Sequence, residues 1–222
     1  MTFSRSDWVA SKKSTALCLA QGKCGGSYAE GVIILSATIS AMASEAWPGT
    51  NIDKKRFVEI TKNYCDQKLS PTRISLPILI GYLRDNGKVS EAEILRKKFM
   101  NFQDTRVLIG NDVDKMDAEI LSECPNLTYK DIRRFSYICL LYEDIRSSFM
   151  HEYRTGKRAD IWAMSSCSDD QISYVNWMND SDRHIHYPVQ WMGMVAQSVA
   201  EAIDRNVSQF PLSQPVAWWL DG

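Results

Sequence analysis

Residues 142–158 read Y-E-D-I-R-S-S-F-M-H-E-Y-R-T-G-K-R, and the spacing of their apolar positions decides the fold. Counting through Phe135, Cys139, Tyr142, Arg146, Phe149 and Tyr153 gives steps of 4, 3, 4, 3 and 4. Such a seam packs one helix along another. It predicts a long helix over residues 129–153, capped by Thr128. Arg146 stands on the seam where a Leu or Ile is expected. A guanidinium is costly to bury alone, so Arg146 must meet a carboxylate, a partner chain or a phosphate.

Working outward, helical spacing recurs on both sides. Residues 8–20 mix apolar and basic positions, and G-K-C-G-G-S (22–27) breaks the chain and offers Ser27 as an N-cap. Residues 28–47 carry a broad apolar face that ends at Pro48-Gly49. Asp53 caps a helix over 54–64, and the turn at Ser70-Pro71 leads to a hydrophobic helix through Leu83. Asn86-Gly87 separates it from a helix over 90–100, and a brief helix at 117–123 ends at Pro125. Pro188 opens a final helix over 189–207. Extended structure is expected at 106–109 and in a hairpin built from 161–164 and 172–177 around S-S-C-S-D-D. The expected architecture is one mainly α domain over residues 1–222. It carries a small β-hairpin insertion at about 158–180 and a C-terminal tail, 208–222, with Trp218 and Trp219.

The 222 residues suffice for a substantial core. With 26 basic against 27 acidic residues the net charge is −1, so any contact with nucleic acid must come from a local patch. The six cysteines form no C-x-x-C pair, and a chain of this size needs no disulfide framework, so a reducing, cytoplasmic protein is expected. No signal peptide is apparent. The longest apolar stretch, 32–43, is interrupted by Ser36, Thr38 and Ser40 and is too short to span a bilayer, so no membrane partner is expected.

Three constellations bear on chemistry. Arg146 and His151 lie five residues apart, which on an ideal helix turns their side chains roughly 140° from one another. Glu143, Ser147 and His151 share one side at i, i+4 and i+8. Glu143 is placed to hold the imidazole or to neutralise Arg146. An imidazole suits proton transfer at neutral pH, and an arginine beside it suits a phosphate. Next, Tyr153, Arg154, Lys157 and Arg158 form a basic cluster with an aromatic. That fits single-stranded RNA, and equally a helix C-terminus favoured by the macrodipole. Last, R-H-I-H (183–186) has metal-like spacing but no further ligand nearby, and reads as two ordinary loop histidines. The stretch 22–27 lacks the G-K-[ST] of a phosphate loop.

The segment R-S-S-F-M-H (146–151) on a long helix resembles the R-x4-6-H motif of the HEPN superfamily. The flanking L-Y-E-D-I-R-S-S-F-M-H-E-Y and the upstream Y-A-E-G-V-I-I-L-S-A-T-I-S-A-M-A-S-E-A-W-P-G are similar to bacterial proteins of this type. The resemblance covers about 28–153 and the final helix. It implies a HEPN-like helical bundle and a metal-independent endoribonuclease of a toxin–antitoxin or phage-defence system, with no cofactor. It further implies a homodimer in which two motifs face one cleft, which answers the 140° separation, and an antitoxin or activator as a possible partner. His151 would be the general acid/base and Arg146 would hold the scissile phosphate. In the family the residue after the arginine is frequently Asn, Asp or His; here it is Ser147, which still donates a hydrogen bond. The alternative is an inactive scaffold of the same fold that binds a nucleotide, nucleic acid or protein, with Arg146 paired to Glu143 or Asp144.

Overall fold

The computed structural model describes residues 4–99, 107–161, 169–176 and 183–222. Helix accounts for 62% of it and strand for 8%, so the chain is mainly α, as expected. Four helices form the central bundle: α1 (Arg5–Ala20), α2 (Tyr28–Ala46), α3 (Asp53–Tyr64) and α11 (Val189–Asn206). Their buried positions follow helical periodicity; on α2 these include Val32, Leu35, Ile39, Met42 and Ala46, and on α11 Met192, Val195, Ala196, Val199 and Ile203. Ser27 caps α2 as expected, in a reciprocal arrangement with Glu30. By length and composition α2 could cross a bilayer, but half of it is buried among the other helices. An outer layer consists of the helical pair α4 (Leu76–Asp85) and α5 (Val89–Phe99), with α6 (Gly110–Val113), α7 (Asp117–Glu123) and α8 (Tyr129–Arg133) following.

The helix expected over 129–153 is divided. Thr128 caps α8 in a box with Asp131, but the chain leaves the helix at Arg134 and resumes as α9 (Tyr137–Leu140). The reason is a second set of backbone partners. The amides of Tyr137 and Ile138 donate to the carbonyls of Arg73 and Pro71, and Phe135 accepts from Ser75. These bonds satisfy groups that a continuous helix would have paired internally. Leu141–Ser147 then widens into a π-helical turn, which continues as α10 (Ser148–Glu152). The Ser148 hydroxyl donates to the Glu143 carbonyl at 3.1 Å, serving an oxygen in the widened turn.

The β structure also departs from expectation. Four short strands form one mixed sheet in the order β1 (Val107–Ile109), β3 (Ser173–Asn176), β4 (Arg183–His186) and β2 (Ala159–Asp160). The strand expected at 106–109 is present as β1. The hairpin partner is different: β3 has β1 on one edge and β4 on the other, both antiparallel, so neither edge is left for residues 161–164. Of those, 162–164 lie outside the described residues. The histidines read as loop residues belong to β4, which also pairs in parallel with β2.

The tail folds back on its own chain. Trp218 packs edge-on against Trp47 at 5.7 Å, and Trp219 lies under Arg133 and donates its backbone amide to Glu59 at 2.8 Å. Cys18 and Cys24 form a disulfide, which departs from the reducing environment expected from the cysteine pattern and removes the support that pattern lent to a cytoplasmic location. Cys65, Cys124 and Cys139 are free and buried, and Cys167 lies outside the described residues.

Candidate functional site

The π-turn and α10 carry both residues of the motif. Tyr142 is wedged edge-on against Phe57 of α3, with ring centroids 5.3 Å apart. One turn later Arg146 lies over the same ring, its Cζ 5.0 Å from the centroid and its Nη1 3.3 Å from the hydroxyl. Arg146 is therefore half-buried and held by an aromatic ring and a phenol oxygen rather than by a carboxylate. Burial raises the Tyr142 hydroxyl above its usual range, and Arg146 opposes that shift. Asp53, Arg56 and Lys54 at the start of α3 are felt at the same ring, so its surroundings carry three cations and one carboxylate.

The acids that might have neutralised Arg146 are engaged elsewhere. Glu143 pairs with Lys54 and with Arg158, each at 2.5 Å, and the second carboxylate on Arg158 is Asp144 at 2.8 Å. Burial raises the pKa of Asp144 above the ordinary carboxylate value, against the pull of Arg158. Glu143, also penalised by burial, is nevertheless held below its usual value by Lys54 and Arg158. Glu143 thus holds neither His151 nor Arg146. Gly156 completes this knot. Its amide donates to the Asp144 carbonyl at 2.7 Å, and a Cβ there would lie 2.8 Å from the Asp144 Cα.

His151 is exposed on the last turn of α10, and Ser147 is half-buried at the end of the π-turn. Tyr153 ends the helix in a left-handed conformation (φ 53°), where its hydroxyl bonds to Glu30, the carboxylate that also caps α2. Arg154 pairs with Glu152 in solvent. Lys157 is exposed and enters no ion pair among the described residues. Of the basic cluster, then, Arg158 is bound internally and only Lys157 is wholly free. The residues that sequence reasoning missed are Tyr142 as the holder of Arg146 and Lys54 as the partner of Glu143. The first was accessible from its i, i+4 spacing to Arg146; the second joins elements 89 residues apart and leaves no local signal.

The buried histidine of β4 is a packing residue. His186 faces Tyr28 at 5.6 Å and contacts the Asp160 carbonyl through Nδ1 at 3.2 Å, and burial lowers its basicity. No group of three metal-ligating side chains occurs among the described residues. No family model matches the chain, and neither a curated protein nor a solved structure is significantly similar to it.

Proposed function

We propose that this chain is a HEPN-like endoribonuclease that cleaves RNA without a metal, acting as a homodimer that brings two motifs to one cleft. The observation that carries the reading is the state of Arg146. It sits on a packing seam with no acidic partner among the described residues, propped by Tyr142, while both adjacent carboxylates are committed to Lys54 and Arg158. A guanidinium spared from internal pairing and fixed in direction is prepared for an external oxyanion. Under the scaffold alternative Arg146 would pair with Glu143 or Asp144, and the engagement of both acids with Lys54 and Arg158 supports the nuclease reading over it.

In the proposed reaction the RNA 2′-hydroxyl gives its proton to a His151 imidazole and its oxygen bonds to the adjacent phosphorus. The bond from phosphorus to the 5′-oxygen breaks, and that oxygen takes a proton from an imidazolium. The products are a 2′,3′-cyclic phosphate and a 5′-hydroxyl end. Arg146 binds the non-bridging oxygens as their charge develops, and Ser147 donates a hydrogen bond beside it. Exposed Lys157 and Arg154 supply the sequence-independent attraction for the strand. An antitoxin or activator protein would cover or complete the cleft.

The test is incubation of the purified protein with tRNA in EDTA. Cleavage leaving cyclic phosphate ends is expected. It should fall by about 10²-fold or more in His151→Ala and in Arg146→Ala, with circular dichroism unchanged. RNA carrying a 2′-deoxy substitution at the cut site should resist. Cleavage by both variants at the wild-type rate would remove the assignment.

A further inference from the structure

The disulfide of Cys18 and Cys24 joins residues only six positions apart. A ring that short removes little freedom from the unfolded chain, so its effect is local. Cys18 lies in the last turn of α1, and Cys24 lies in the loop that enters α2. Cys24 is exposed and Cys18 half-buried, whereas Cys65, Cys124 and Cys139 are buried. The bond is thus presented to thiols in solution from the Cys24 side, where the neighbouring Lys23 favours an approaching thiolate.

The loop has few other restraints. Its first part folds back on α1, the amides of Gln21, Gly22 and Lys23 donating to the carbonyls of Leu17, Leu19 and Cys18. Residues 24–26 enter no backbone hydrogen bond among the described residues. Gly25 turns there with φ 75°, and Gly26 passes so close to Leu19 that a Cβ would lie 2.9 Å from the Leu19 Cβ. The disulfide is what ties this stretch to α1.

A relay begins at the next residue. The amide and hydroxyl of Ser27 donate to Glu30 Oε2 at 2.7 and 2.6 Å, closing the cap of α2. The other oxygen of that carboxylate accepts from the Tyr153 hydroxyl. Tyr153 closes α10, its amide donating to the Phe149 carbonyl at 3.3 Å, and the Phe149 ring lies 6.3 Å from that of Tyr28 on α2. The start of α2 therefore grips the end of α10, the turn that carries His151.

We propose that Cys18–Cys24 is a reversible redox site, opened by a dithiol reductant, and that its reduction releases residues 24–26, loosens the Ser27–Glu30 cap and frees the Tyr153 end of α10. One thiolate of the reductant attacks the Cys24 sulfur; the S–S bond breaks, and the Cys18 sulfur leaves with the electron pair and takes a proton. The second thiolate of the reductant then attacks its own sulfur in the mixed disulfide and displaces Cys24, which also takes a proton. The protein gains two electrons and two protons, and the dithiol ends as a disulfide. The helices α1 and α2 stay packed at Gly31, where a Cβ would meet the Ala16 carbonyl at 2.9 Å, so the change is confined to the loop and the relay. Any effect on RNA cleavage rests on the ribonuclease reading; the structural change does not.

The full chain, oxidised or treated with dithiothreitol without denaturant, is followed by peptide-resolved alkylation and hydrogen exchange. Alkylation is expected at Cys18 and Cys24 while Cys65, Cys124 and Cys139 stay unlabelled. Exchange should rise about tenfold or more over residues 21–30 and 149–153, with α3 and α11 unchanged. Oxidised Tyr153→Phe should already exchange fast at 149–153 and gain nothing further there on reduction. Cys18→Ser/Cys24→Ser should match the reduced protein with or without the reductant. A bond that opens only in denaturant, or unchanged exchange at 149–153 after reduction, would overturn the proposal. If exchange shifts as expected and neither state cuts RNA, the ribonuclease reading falls and the redox site stands.

Discussion

Arg158→Ala is expected to destabilise the protein by about 3–5 kcal/mol, whereas Arg154→Ala, four positions earlier in the same basic run, should change stability by less than about 0.5 kcal/mol. Arg158 bridges two acids with separate nitrogens, Nη2 to Glu143 and Nε to Asp144. The Asp144 side chain is only 8% exposed, so removing its partner strands a carboxylate in the interior. Arg154 and Glu152 are 75% and 54% exposed, where water screens the pair. Arg158→Lys should recover only part of the loss, because one ammonium cannot reproduce the fork that spans both acids. Asp144→Asn combined with Arg158→Ala should be milder than the sum of the single changes, since the stranded charge is gone. Urea unfolding of these four variants and of Asp144→Asn alone measures all of this. If Arg158→Ala unfolds like the wild type and only RNA affinity falls, the internal lock is not what holds the Thr155–Gly156 turn.

That contrast shows what was readable in the chain. The mainly α class and the bounds of α2, α3, α7 and α11 follow closely from apolar periodicity, caps and Pro or Gly punctuation, all of which are local. The seam through Cys139, Tyr142, Arg146 and Phe149 was equally local, but Arg146 on it meets the Tyr142 ring and hydroxyl rather than the carboxylate, partner chain or phosphate expected. What failed was non-local. Strand-like bonds from Arg73 and Pro71 to Tyr137 and Ile138 interrupt a helix that the periodicity alone would continue. The edges of β3 are claimed by β1 and β4, over distances that no propensity reports. A run of like charges also conceals which members are solvated. Arg158 and Arg154 look alike in sequence, and only the fold brings Asp144 against one of them.

The second large effect concerns Asp114, which is buried yet meets no ion pair among the described residues. Its Oδ1 accepts from the Leu76 amide at 2.8 Å, and its Oδ2 accepts from the Tyr137 hydroxyl at 2.5 Å and from the Tyr174 hydroxyl. It thereby ties the start of α4, α9 and strand β3 to one carboxyl. Burial pushes it up from its ordinary 3.8 to about 7, against those three hydrogen bonds and the attraction of Arg73. The folded form therefore holds the proton more tightly than the unfolded chain. Its contribution to stability is complete below about pH 4 and is lost as pH rises through 7, then levels off. At about 1.4 kcal/mol per pH unit over about three units, the loss amounts to about 4 kcal/mol. His186 works in the opposite sense, because a buried, less basic imidazole adds stability above its ordinary 6.5 and loses it as pH falls. The wild-type profile mixes the two, so the difference between wild type and Asp114→Asn isolates the carboxyl. The amide offers one acceptor oxygen where the acid has two, so the variant should be about 1–3 kcal/mol weaker at pH 5. It does not titrate, so the gap should close as pH rises to 8. Urea midpoints taken from pH 5 to pH 8 measure this, and parallel profiles for the two proteins would mean that Asp114 is ionised in the core throughout.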